Sequence, residues 1–145
     1  MNNKKLFRTL LASLALGAAG HVLAHGDVTP QPVNTDGLDK LGSEWRDQNP
    51  YRKPYANNAK AVEIGASAYT QNCARCHGLE AISGGIAPDL RKLDPGIEGD
   101  EWFKERVING AVRDGRVYMP KMADYLSQEA LWAIRSYLES KHIEE

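Results

Sequence analysis

Apolar residues recur at helical spacing in three stretches of this chain. The first is Ala61, Ile64, Gly65, Ala68 and Tyr69, a set that lines one face of an α-helix. Asn57 or Asn58 is placed to cap its start, and one further step of four residues puts Cys73 on the same face. The second helix is expected to begin at Asp100 as N-cap, to bury Phe103 and Val107, and to stop at Asn109-Gly110. The third has Ser127 as N-cap, with Leu126 and Leu131 at the positions of a hydrophobic staple. Its apolar face is Ala130, Leu131, Ile134, Tyr137 and Leu138, and it runs to about Ser140. Between Gly78 and Gly96 the glycines and Pro88 and Pro95 predict a loop with at most a short turn over Asp89 to Leu93. No strand pattern competes, so the expected class is all-α: three main helices and a great deal of loop.

The ends of the chain read differently. Lys4, Lys5 and Arg8 precede an apolar run from Leu10 to Ala19, and Val22-Leu23-Ala24 offers the small residues that signal peptidase reads. The run is far shorter than the roughly 20 residues of a membrane-spanning helix. Residues 1–24 are therefore expected to be a signal peptide cleaved after Ala24, which places the protein in the periplasm with no membrane span left. Residues 25–55 hold Pro30, Pro32, Pro50 and Pro54 and no sustained apolar period, which predicts an irregular N-terminal extension. Trp45, Tyr51 and Tyr55 are large enough to pin it to a folded surface; the alternative is a loose linker. Trp132 falls among Gln128, Glu129, Arg135, Ser136 and Glu139 on the polar side of the last helix, so either the extension or a partner is expected to cover it.

Composition adds two constraints. With 42% hydrophobic and 26% charged residues the chain is ordinary globular protein, and its 145 residues suit one domain. The net charge of −1 gives no footprint for nucleic acid. Cleavage removes three basic groups and no acidic one, leaving −4; that acidic charge predicts docking on basic patches and association that weakens with salt. The folded domain is expected over residues 56–142, which is little chain to build a core from short helices and loops. Something other than protein is expected at its centre.

Cys73-Ala74-Arg75-Cys76-His77 supplies it. C-x-x-C-H is the attachment signature of c-type haem: two thiols on one turn reach two vinyl groups, and the next residue brings an imidazole to the iron. A redox C-x-x-C would sit after a strand, and none is expected here. A zinc site needs four ligands, and the other histidines left after cleavage, His25 and His142, lie at the two chain ends. A plain disulfide would leave His77 and the thin core unexplained. His25 would open the mature chain with an amine and an imidazole, but nothing nearby completes a metal site.

The haem motif in Asn72 to Gly78, Ala87-Pro88-Asp89-Leu90, Met119-Pro120, and Ala133-Ile134-Arg135-Ser136-Tyr137-Leu138 together resemble the landmarks of class I cytochromes c, over residues from about 57 to 140. The chain is similar in particular to small periplasmic cytochromes that accept electrons from quinoprotein (PQQ) alcohol dehydrogenases, which share its His-Gly-Asp start and proline-bearing extension. The resemblance implies the class I fold, three helices around one covalent haem c, with thioethers to Cys73 and Cys76. It implies His77 and Met119 as the axial iron ligands, with Met122 as the alternative to Met119. It places Pro88 in the segment whose carbonyl meets the other nitrogen of the ligating histidine, and Gly65 and Tyr69 at a close crossing with the last helix near Ile134 and Tyr137. Trp102, Arg91 and Arg106 are candidates for the haem propionates; Trp102 and Arg106, four apart, also suit a plain exposed cation–indole pair.

The expected function is a monomeric, periplasmic carrier of single electrons and not an enzyme. Its expected donor is a quinoprotein alcohol dehydrogenase and its acceptor a terminal oxidase or another cytochrome, each docking transiently. Two rivals stand beside it: a haem protein whose open sixth position binds small ligands or peroxide, and a haem subunit of a larger oxidoreductase.

Overall fold

In a computed structural model that describes residues 29–144, helix α1 (Asn58–Asn72) begins after Asn57 and buries Ala61, Ile64, Gly65, Ala68 and Tyr69. These are the five residues of the first periodic series. The signal peptide, its cleavage site and His25 lie outside the described residues. A single-turn helix α2 (Ala74–His77) follows and carries the cysteine-histidine motif. Helix α3 (Ile97–Asn109) buries Phe103 and Val107 and ends at Gly110, and helix α4 (Gln128–Ser140) is capped by the Ser127 side chain, which accepts from the Ala130 amide at 3.2 Å. Short 3-10 turns at 79–81, 90–92 and 122–124 join them. No helix among the described residues is long and apolar enough to cross a membrane.

The expected helical class holds, with one short hairpin that the sequence reading lacked and one cap that is corrected. β1 (Ala111–Arg113) and β2 (Arg116–Met119) pair antiparallel, Val112 facing Val117, with an irregularity between Ala111 and Val112. Asp114-Gly115 makes the turn, both at positive φ, as a two-residue hairpin requires. Asp100 is not the cap of α3. The cap is Gly96, four residues earlier, and the Asp100 carboxylate is fully buried and otherwise engaged. It accepts from Arg135 Nε at 2.7 Å, from Arg52 Nη2 at 2.6 Å and from the Asn49 amide at 2.9 Å. A buried carboxylate needs such partners, and these join the extension, α3 and α4.

The core rests on the crossing of α1 with α4. At Gly65 a Cβ would overlap the carbonyl oxygen of Ala133, so the two helices approach backbone to backbone as the family resemblance implies. The Tyr69 and Tyr137 rings meet beside this point, 5.3 Å between centroids.

The extension is irregular but closely packed. Trp132, fully buried, is covered edge-on by Trp45 with ring centroids 6.3 Å apart. Around it, polar side chains of α4 serve the backbone of the extension. Glu129 accepts from the Leu41 amide at 2.9 Å, and Gln128 accepts from the Arg46 amide at 2.7 Å and donates to the Glu44 carbonyl at 3.0 Å. Tyr51 is fully buried and its hydroxyl donates to the Asp39 carbonyl at 2.6 Å. A stretch without regular structure thereby has several of its backbone groups paired. A protein lacking residues 25–50 is expected to melt at lower temperature and to show red-shifted tryptophan emission as Trp132 meets water; unchanged emission and melting would count against the covering role.

Candidate functional site

The motif is shaped by the junction of α1 and α2. The Cys73 amide closes α1 on the Tyr69 carbonyl at 2.8 Å, and the Cys73 carbonyl accepts from the amides of Cys76 at 3.2 Å and His77 at 3.0 Å. One turn therefore holds both thiols and the imidazole. Gly78 leaves it at φ 82, where a side chain would overlap the Ile82 carbonyl. The Tyr69 hydroxyl donates to the Gly78 carbonyl at 2.8 Å, so α1 grips the motif at its far end too.

His77 is oriented by Pro88. Its Nδ1 lies 2.9 Å from the Pro88 carbonyl oxygen. A carbonyl only accepts, so Nδ1 carries the proton and Nε2 keeps the lone pair that a metal requires. The Pro88 loop is itself fastened. Asp89 accepts from the Arg91 amide at 3.1 Å, from Nε at 3.0 Å and from Nη2 at 2.7 Å, and the Arg91 carbonyl accepts from the Ile143 amide at 3.1 Å and His142 Nδ1 at 3.0 Å. Hydrogen bonding to Arg91 pulls the Asp89 carboxyl down to about 2. For a carboxyl lowered on folding, the clasp is complete above the ordinary carboxylate value and is lost as pH falls toward 2.

Cys73, Cys76, His77, Pro88, Trp102, Arg106, Met119 and Met122 all line one cavity of about 800 Å³, walled by Phe103 and Val107 of α3 and by Leu131, Ile134 and Leu138 of α4. That volume is at the upper end of the roughly 300–1,000 Å³ of small-molecule and cofactor sites. Arg91 is not brought in: it is committed to Asp89 and absent from the lining. Trp102 and Arg106 line the cavity and also stack, with the guanidinium carbon 5.6 Å from the ring centroid. Met119 ends β2 and is part-buried; Met122 is buried.

This residue set fits a haem: two thiols on one turn, an imidazole with a free Nε2, a thioether and apolar walls. It does not suit the competing chemistries. Burial and the neighbouring Cys76 push the Cys73 thiol up to about 12, the opposite of the depressed value a redox C-x-x-C needs. Among the described residues no cluster of three or more His, Cys, Asp or Glu could hold a metal ion.

Three features of the site were not read from the sequence. The β-hairpin brings Ala111, Arg113, Tyr118 and Met119 to the cavity wall, and its signal was Asp114-Gly115 between short apolar-polar alternations. The Asp89–Arg91 clasp was visible as a complementary pair two residues apart. Gly110, at φ 67, lies where a Cβ would overlap the Met119 carbonyl; nothing local in the sequence announces that contact.

Residues 60–138 match the protein family described as "Cytochrome C oxidase, cbb3-type, subunit III". The whole chain is 72% identical to cytochrome c550 of Pseudomonas aeruginosa, with both proteins covered end to end. It is 38% identical over 106 residues to quinohemoprotein alcohol dehydrogenase ADH-IIG of Pseudomonas putida, covering 68% of this chain but only 14% of that protein. It is 34% identical over 77 residues to cytochrome c6 of Bryopsis maxima, 53% of this chain and 88% of the alga's protein. No solved structure matches.

Proposed function

The chain belongs to the class I cytochrome c family, carries covalent haem c and is an electron carrier, not an enzyme; from that premise we propose that it works in the periplasm between a quinoprotein alcohol dehydrogenase and a terminal oxidase or second cytochrome. Bound haem c supplies one iron that alternates between the ferrous and ferric states. Cys73 and Cys76 hold the ring through thioethers and His77 offers Nε2 to the metal. The Pro88 carbonyl fixes the histidine tautomer and strengthens it as a donor. Met119 would hold the iron as well, through a soft neutral sulfur that favours the ferrous state. Met122 would pack beside the ring, and Trp102 and Arg106, which line the cavity, would face the propionates.

One observation carries this reading: the 2.9 Å contact that commits His77 Nδ1 to Pro88, in a cavity that Met119 also lines. The likeness to a segment of the alcohol dehydrogenases supports the choice of donor, since a related domain is built into those proteins. The amino-terminal sequence supports export. Purified ferric holoprotein is expected to be reduced by a periplasmic quinoprotein alcohol dehydrogenase turning over its alcohol, with one electron taken per haem. Reduction no faster than by the alcohol alone would exclude that donor.

A further inference from the structure

The two attachment cysteines are unequally covered. Cys76 is exposed, whereas Cys73 is part-buried, and the start of the extension reaches the cavity on the Cys73 side. Pro30 lines the cavity together with Asn72, Cys73 and Arg75, although it stands far ahead of α1 in the chain. A short contact holds it there: the Gln31 amide donates at 2.6 Å to Oδ1 of Asn72, the residue before Cys73. The Asn72 side chain is itself oriented, because its Nδ2 donates to the Ala68 carbonyl at 3.0 Å. Gln31 also turns its side chain back, and Nε2 donates to the Thr29 carbonyl at 3.0 Å. The polar groups on either side of Pro30 are thus paired.

Proline suits such a position. It has no N–H to leave unpaired at an apolar rim, and its fixed φ keeps the ring in place at little cost in entropy. Behind it, Pro32 and Val33 run along α1, sharing a shallow groove with Ile64, Ser67 and Gln71, and Val33 packs against the core. None of this serves to cover Trp132, which Trp45 does further along the extension. What the first residues of the extension do cover is an edge of the cavity. Water at a haem edge stabilises the charged ferric state more than the neutral ferrous one, so excluding it raises the reduction potential.

We infer that Thr29, Pro30 and Gln31, latched by Asn72, form a roof over the Cys73 edge of the haem site, keeping water from that edge and holding the reduction potential up. Asn72 is a positioning residue here, acting through the Gln31 amide. The inference rests on the carrier reading, which puts a haem in the cavity. It gives the extension a part in electron transfer that is separate from its packing on α4, since a higher potential makes the ferric carrier a stronger acceptor from its donor.

The test is a spectroelectrochemical titration of the full-length mature holoprotein. Asn72→Ala frees the Gln31 amide, and Pro30→Gly removes the ring while leaving the latch. At the potential where the wild type is half reduced, the ferrous-to-ferric ratio is expected to fall by about threefold to tenfold in Asn72→Ala. It is expected to fall in Pro30→Gly as well, with the sulfur-to-ferric-iron absorption kept in both variants. Thr70→Ala, exposed on the same helix with its hydroxyl on the Ala66 carbonyl at 2.9 Å, is expected to keep the wild-type ratio. A lowered melting temperature with an unchanged ratio in both variants would make the contact structural only and overturn the inference, as would an equal fall in Thr70→Ala. If Asn72→Ala does not fold or loses the absorption band, Pro30→Gly decides alone, and an unchanged ratio there overturns the roof. A wild type that shows no reversible one-electron titration would defeat the carrier reading itself, and the roof with it.

Discussion

Replacing Met119 by alanine is expected to abolish the sulfur-to-ferric-iron charge-transfer absorption, let carbon monoxide bind the ferrous protein, and lower the reduction potential. Met119 closes β2, and its backbone is pressed against Gly110, where no side chain fits. Pro120 follows directly, so the chain is stiff on that side as well. Met122, in the next 3-10 turn, is buried in the packing around the cavity. Methionine there fills space, so Met122→Ala is expected to keep both the absorption band and the closed iron while costing about 2–5 kcal/mol of stability. The contrast between the two variants separates coordination from packing. If Met122→Ala opened the iron and Met119→Ala did not, the ligand assignment would pass to Met122.

Gly65→Val is expected to cost about 3 kcal/mol or more, which for a domain of this size lowers the melting temperature of the holoprotein by roughly 10 °C or more. The site is unusual among overpacked positions because the obstacle is backbone. A Cβ at residue 65 would meet the Ala133 carbonyl and the Ile134 amide nitrogen of α4, and a carbonyl within a helix cannot swing aside as a flexible side chain would. Relief would require α1 and α4 to part. Tyr69 and Ile134 would move with them, and both bear on the site: Tyr69 holds the Gly78 carbonyl, and Ile134 lines the cavity. The variant is therefore expected to broaden the haem spectrum as well as to melt early. A melting temperature equal to that of the wild type would refute the crossing.

The parts of the structure that were legible in the sequence are those governed by local repetition or by fixed chemistry. The buried face of α1 was readable because its period runs unbroken from Ala61 to Tyr69, and the start of α4 because Ser127 caps it in the ordinary way. The haem motif needed only five consecutive residues. What was missed depended on contacts distant in sequence or on very short elements. Strands of three and four residues are too brief for alternation to stand out. Asp100 looked like a cap, because only the fold reveals that Arg52 and Arg135 arrive to claim its carboxylate. Arg91 was expected at the haem although its partner stood two residues before it. The buried Trp132 on a polar helix face did foretell a cover, but that Gln128 and Glu129 would pair with the backbone of the extension was not visible from either segment alone.

The central claim is a closed one-electron centre in which His77 and Met119 would both hold the iron. The most direct measurement is the absorption spectrum of the ferrous wild-type holoprotein before and after carbon monoxide is added, beside the ferric spectrum in the charge-transfer region. The account predicts a ferrous spectrum that carbon monoxide leaves unchanged and a ferric form that shows the sulfur-to-iron band. A ferrous spectrum that shifts on addition of carbon monoxide, with the ferric band missing, would contradict it and make the protein a ligand-binding haem protein.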